Sequence, residues 1–179
     1  MVVRGGHGTY GFALGILTLD SKFARIPGDV GNATTYDYPV MYKIIKGASG
    51  PRVLGGDRTL LEPFLDAARE LEAAGCRAIT TSCGFLALFQ RELAAAVSIP
   101  VFASSLMQVE LAWRMLRPDQ KVGILTADKT CLTEQHFISL GCERVPKVIY
   151  GLEQSVLPVA FNSEDGAYEV EELRKKAEA

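Results

Sequence analysis

At 179 residues, with 48% apolar and 22% charged side chains, the chain has material for a sizeable core and the balance of an ordinary globular protein. Its 19 basic and 21 acidic residues leave a formal charge of -2, with no block of like charge to track a phosphate backbone, so nucleic acid is not an expected partner. No apolar run approaches the roughly 20 residues that span a bilayer, and the opening MVVRGGHGTY is glycine-rich rather than an apolar signal core; a cytoplasmic protein without a membrane partner is expected.

Short Val- and Ile-rich runs alternate with longer helical patterns, which predicts an α/β protein with mainly parallel sheets. A first strand is expected over Phe12 to Leu19. A Gly/Pro/Asn-rich loop, IPGDVGNATTYDYP, separates it from a second strand, Val40 to Ile45. Leu60, Leu61, Phe64, Leu65, Ala68 and Leu71 then recur at helical spacing. A capping box from Thr59 to Glu62 should open that helix and Gly75 should close it, with Pro63 tolerated in the first turn.

The strand Arg77 to Ser82 runs straight into Cys83 and the helical stretch GFLALFQRELAAAV, whose apolar stripe is Phe85, Leu88, Phe89 and Leu93. Strand PVFAS, helix SLMQVELAWRML ending before Pro118, strand KVGILTA, helix TCLTEQHFISLG, strand KVIYG and a charged final helix from about Tyr168 complete the pass. GILTLD at Gly15 to Asp20 recurs as GILTAD at Gly123 to Asp128, an offset of 108 positions that suggests two duplicated halves. The expected division is a first lobe over 12–105, and a linking helix with a partial second lobe over 106–179.

Ligands of parallel sheets bind beyond the carboxyl ends of the strands, so the residues that follow each strand are the candidates. Cys83 stands at a strand-to-helix junction, where backbone N–H groups and the helix dipole favour thiolate; a base or nucleophile with a lowered pKa is expected there. The plainer alternative is a small buried hydrophobe. Thr81 and Ser82 precede the thiol, Ser104 and Ser105 close the next strand, and Thr126 closes the one beyond. Together with the N–H groups of Gly84 and Phe85 these hydroxyls could hold a carboxylate, although Ser104 or Ser105 would serve equally as a helix N-cap.

Asp20 ends the first strand, with Arg25 close behind; an acid there could meet a substrate ammonium or orient a catalytic group, or it could simply pair with Arg25 in water. Asp29 and Asn32 read as turn formers beside Gly28 and Gly31. Cys131, placed in the first turn of a helix, and Cys142, at that helix's close, are read as structural. Cys76 should lie at the far end of the sheet. All four cysteines are read as reduced thiols, and their spacing, with two distant histidines, implies no metal.

Three stretches, LGILTLDSKFARIPGDVGNATTYDYPV, ITTSCGFLALFQRELAAAVSIPVFASSLMQV and KVGILTADKTCLT, resemble the aspartate/glutamate racemase superfamily, which also includes hydantoin racemases, maleate isomerases and arylmalonate decarboxylases. The likeness runs from Gly15 to about Thr133. It implies two similar Rossmann-like α/β lobes with the active site between them, each lobe supplying one cysteine to opposite faces of a carbon acid, without pyridoxal phosphate, metal or other cofactor. Cys83 matches the first-lobe cysteine, and Asp20 falls near the acidic loop that positions substrate and thiol.

This chain departs from the superfamily's usual pattern at two places. Cys83-Gly84-Phe85 stands where amino-acid racemases commonly read Cys-Asn-Thr, and the later cysteine-threonine motif is absent. The internal offset would put the partner cysteine near position 191, so the second lobe is expected to be incomplete at Ala179. A homodimer is one arrangement that would cover its open edge. The expected activity is racemisation of a small amino acid or related carboxylate by thiol-based proton transfer. The alternatives are an isomerase or decarboxylase of a small dicarboxylate in the same pocket, or a homologue that binds a small molecule without catalysis.

Overall fold

The computed structural model describes residues 5–153, 169–171 and 175. Strand β1 (Leu14–Leu19) is paired in parallel with β2 (Val40–Ile45) on one side and β3 (Ile79–Thr81) on the other; β4 (Val101–Phe102) completes a sheet of order β2-β1-β3-β4. A second parallel sheet pairs β5 (Val122–Thr126) with β6 (Lys147–Gly151). Each strand is short and β1 is buried almost throughout, as expected of a parallel strand covered on both faces. The α/β class and the parallel pairing therefore follow the alternation of Val/Ile runs with helical stretches.

Helix α1 (Gly50–Leu54) follows β2, and α2 (Leu61–Ala73) carries Phe64, Leu65, Ala68 and Leu71 against β1 and β2, as the 3.6-residue spacing predicts. The expected capping box at Thr59 and Glu62 does not form. Asp57 caps a preceding 3-10 turn, Arg58–Leu60, instead, accepting the Thr59 N–H at 2.9 Å. An aspartate is a strong N-cap, and its short carboxylate captures the first free donors before the threonine can. The helix closes as read: Gly75 at φ +92° lets Cys76 N–H reach the Leu71 carbonyl at 3.1 Å and Gly75 N–H reach that of Glu72 at 2.9 Å. A Cβ at Gly75 would stand 2.8 Å from the Thr9 carbonyl oxygen.

Beyond β3 the chain turns at Cys83 into a 3-10 segment, Gly84–Phe89, that continues as α3 (Gln90–Ala96). A second 3-10 segment, Ser105–Gln108, leads into α4 (Val109–Arg114), and α5 (Glu134–Leu140) lies between β5 and β6. The helix expected from Thr130 starts only at Glu134. Asp128 holds Thr130 in a tight turn, and a reciprocal cap between Thr133 and His136 sets the helix start later. Helix α5 packs against the 3-10 segment that follows Cys83, and the buried residues of both sheets, from Leu17 and Phe64 to Ile124 and Phe137, form one continuous core. Of the final helix expected from about Tyr168, Val170, Glu171 and Lys175 are helical and Glu169 is not; Tyr168 and the others lie outside the described residues. No helix among the described residues is long and apolar enough to cross a membrane.

Candidate functional site

The carboxyl ends of β1, β3, β4 and β5 open on one cleft of about 760 Å³, with Cys83 in its wall. The turn that presents the thiol is held from three sides. Thr81 Oγ1 lies 2.7 Å from the Ala103 carbonyl, which it meets as donor, and accepts the Cys83 N–H at 3.3 Å. Ser82 N–H donates to the Leu17 carbonyl at 2.9 Å, and its Oγ accepts from Leu19 N–H at 3.2 Å. Buried Gln90 donates to the Val101 carbonyl at 3.0 Å and accepts from Ala103 N–H at 2.8 Å, fastening α3 to β4. Buried polar groups left unpaired are costly, so this mutual satisfaction over-determines the backbone at Cys83.

The electrostatics of the thiol reverse the expectation of a lowered pKa. Burial pushes Cys83 up to about 11, while the Phe85 and Leu86 N–H groups and the Arg25 guanidinium pull the other way. The junction does supply the donors anticipated for a helix N-terminus, but protein crowded around the sulfur disfavours the charged form by more. At neutral pH the thiol is therefore held neutral, with thiolate-stabilising groups already in place.

Eight of the ten residues singled out in the sequence line the cleft: Cys83, Arg25, Ser82, Gly84, Phe85, Ser104, Ser105 and Thr126. Ser104 is also a helix cap, its Oγ accepting from Leu106 N–H at 3.2 Å, as one alternative had it. The remaining two do not reach the cleft. Thr81 is buried behind Cys83 in the hydrogen bonds above, and Asp20 turns away to accept Gly47 N–H at 2.9 Å. A backbone donor in the loop after β2 outcompetes the cleft for that carboxylate, because the parallel pairing of β1 with β2 brings Gly47 beside it.

Arg25 does not pair with Asp20 either. Its Nη1 binds Asp29 Oδ1 at 2.7 Å, its Nη2 lies 3.3 Å from Ser21 Oγ, and its guanidinium sits 4.3 Å from the centroid of the Phe23 ring. Asp29 also accepts Gly31 N–H at 2.6 Å and Asn32 donates to the Arg25 carbonyl at 2.8 Å. The turn formers read from the sequence thus aim an arginine into the cleft. A guanidinium with N–H groups to spare in a half-buried position suits a carboxylate.

The cleft also contains residues that the sequence reading passed over. Phe23 and Ser21 come from the loop after β1; Asp128 and Cys131 come from the loop after β5, and Glu153 follows β6. Cys131 was read as the first turn of a helix and hence as structural, but it sits half-buried in the loop before α5, in the cleft wall, with its thiol raised by burial. The signal that could have found it is the duplicated GILT: its offset of 108 sets Cys131 opposite Phe23, another residue of the cleft. Cys76 and Cys142 are buried away from the cleft, Cys142 within 3.7 Å of the Phe137 carbonyl.

No protein-family profile matches the chain. A dimethylsulfoniopropionate lyase of Durusdinium sp. clade D is 32% identical over 127 residues, covering 69% of this chain and 42% of that protein. Dimethylsulfoniopropionate lyase 3 of Emiliania huxleyi (strain CCMP1516) is 28% identical over 151 residues, covering 75% and 39%. The matches thus span about two fifths of these relatives' length. Among solved structures, the Gly74Cys mutant of arylmalonate decarboxylase has a TM-score of 0.53 at 17% identity, covering 90% of this chain and 66% of that one. An aspartate racemase of Picrophilus torridus has a TM-score of 0.52 at 13% identity, covering 94% and 74%.

Proposed function

We propose, from a chain that has the fold of the aspartate/glutamate racemase superfamily, that Cys83 is the base of a cofactor-independent lyase acting on a small carboxylate with a leaving group on the next carbon. The observation that carries this reading is the meeting of one thiol, two backbone N–H groups and one arginine in a single cleft. Arg25 holds the carboxylate, the Phe85 and Leu86 N–H groups stabilise the thiolate, and the thiolate removes the proton from the carbon next to the carboxylate.

The similarity to dimethylsulfoniopropionate lyases supports a sulfonium leaving group. As the C–H bond breaks, its electron pair forms the new carbon-carbon double bond and the C–S pair departs with sulfur, giving neutral dimethyl sulfide and acrylate. The proton stays on Cys83 and then passes to water. Elimination needs one base on one face of the carbon, whereas racemisation needs an acid on the opposite face as well. A second reading, racemisation of a small amino acid, is favoured by Cys131, a further thiol in the cleft wall.

Headspace gas chromatography of the purified chain with dimethylsulfoniopropionate is expected to detect dimethyl sulfide, and Cys83→Ser to abolish it. Arg25→Ala is expected to raise KM more than it lowers kcat. Aspartate and glutamate followed by chiral chromatography in deuterated water test the second reading. Absence of sulfide release, of inversion and of deuterium uptake would remove Cys83 from any role as a carbon-acid base.

A further inference from the structure

The charges in the cleft are unevenly divided between the two sheets. Among the described residues that line it, Arg25, from the loop after β1, is positive, whereas Asp128, after β5, and Glu153, after β6, are negative. Asp128 commits Oδ1 to its own turn, accepting Thr130 N–H at 2.7 Å and the Thr130 hydroxyl at 2.6 Å. Glu153 has no such partner among the described residues. Its Oε2 accepts Lys129 N–H only at 3.4 Å, and its Oε1 lies 3.6 Å from Nζ of Lys129, whose side chain is 57% exposed. A carboxylate offers roughly four acceptor sites. With its side chain only 26% exposed, Glu153 is largely withdrawn from water and has two long contacts in return.

The backbone makes room for this carboxylate. Gly151, the last residue of β6, is in register with Thr126, a residue of the cleft, and Leu152 N–H donates to the Thr126 carbonyl at 2.9 Å. A Cβ at Gly151 would fall on Glu153 Oε2, so the missing side chain lets the carboxylate fold back over the strand end. In the reaction proposed above, Arg25 holds the substrate carboxylate and Cys83 takes a proton from the carbon beside it. The leaving group then lies farther along the substrate, and the charged groups left over in the cleft are anions, which attract a cation and repel a second carboxylate.

We infer that Glu153 is the subsite for a cationic group on the substrate, which makes the cleft selective for zwitterions over anions of the same shape. The inference rests on the roles given above to Arg25 and Cys83 and adds a specificity-determining residue to them. For an elimination it has a mechanistic consequence. As the C–S electron pair leaves with sulfur, the sulfonium charge is lost and the attraction to Glu153 with it. Glu153 therefore strengthens substrate binding without favouring the transition state, and the neutral sulfide is not retained.

NMR titration of the full chain carrying Cys83→Ser, to prevent turnover, tests this with two ligands: dimethylsulfoniopropionate, and isocaproate, in which C–H replaces the sulfonium sulfur. The sulfonium compound is expected to bind about tenfold more tightly, the order of one partly screened charge pair. Adding Glu153→Gln is expected to remove that preference by weakening the sulfonium compound alone, and Arg25→Ala to weaken both ligands. No preference in the parent, a preference that survives Glu153→Gln, or equal weakening of both ligands by Glu153→Gln would overturn the inference. Binding of neither ligand would overturn it together with the role of Arg25. With Cys83 intact, Glu153→Gln is expected to raise KM for dimethylsulfoniopropionate about tenfold without lowering kcat. A lowered kcat at unchanged KM would overturn the subsite. If the preference is found but no dimethyl sulfide is released, the lyase reading fails and the zwitterion subsite stands.

Discussion

Cys83 shows how one residue's chemistry is set by competing surroundings. Three groups stabilise its thiolate, and burial outweighs them, so the thiol titrates near 11 rather than near neutrality. Alkylation of Cys83 by iodoacetamide is therefore expected to climb about tenfold per pH unit from 7 to beyond 9, with no plateau in that range. Arg25→Ala is expected to slow it further, since the guanidinium acts to lower this pKa. Peptide mass spectrometry after timed quenching reads both effects, and a plateau near neutral pH would show a thiol already ionised there. The position of Cys83 at a strand-to-helix junction was legible from RAITTSCGFLALF, but the crowding that decides its charge was not. Desolvation comes from residues distant in sequence, and no local spacing records it.

Helix α5 is the element that packs the second half of the chain against the 3-10 segment following Cys83. His136 is 2% exposed, its Nδ1 accepts Thr133 N–H at 3.1 Å, and its ring stands edge-on to that of Phe85 at 5.5 Å. Nδ1 as acceptor leaves the proton on Nε2, which has no hydrogen-bond partner among the described residues. Burial lowers the His136 pKa below its ordinary value, with the Thr133 backbone acting weakly against it. A histidine that resists protonation when folded but not when unfolded leaves stability intact above about pH 6.5 and removes it as pH falls through the folded value. The melting temperature is expected to drop as pH falls below about 6.5. His136→Gln, which keeps a side-chain acceptor at the third helical position and cannot titrate, is expected to flatten that drop. An unchanged pH profile in the variant would clear His136. The helix itself was expected from its sequence, although its start was misplaced, because Thr130 and Thr133 are equally good caps and only the Asp128 turn separates them.

Across the whole molecule, one core joins both sheets, and Phe137 of α5 is fully buried in it beside the segment that carries Cys83. Phe137→Ala is expected to cost about 3–5 kcal/mol, the range for emptying a buried aromatic site, and the unfolding should remain a single transition. Denaturant titration followed by circular dichroism and by exposure of the Cys83 thiol checks this. Two separated transitions, with the thiol released in only one, would mean that the sheets unfold independently.

Local information determined the parts of this protein that depend on neighbours in the chain. Val40–Ile45, the Gly75 helix stop and the Cys83 junction are where the Val/Ile run, the missing Cβ and the strand-to-helix switch put them. Ser104 as a cap and Asp29 as a turn former belong to the same class, since their partners lie two residues away. Tertiary structure decided the rest. It turned Asp20 onto Gly47, hid Thr81 behind the thiol and brought Cys131 into the cleft. The direction of each of these side chains depends on which donor or acceptor a distant segment delivers. Parallel pairing delivers those segments across separations of 22 or more positions in the chain, which short-range patterns do not encode.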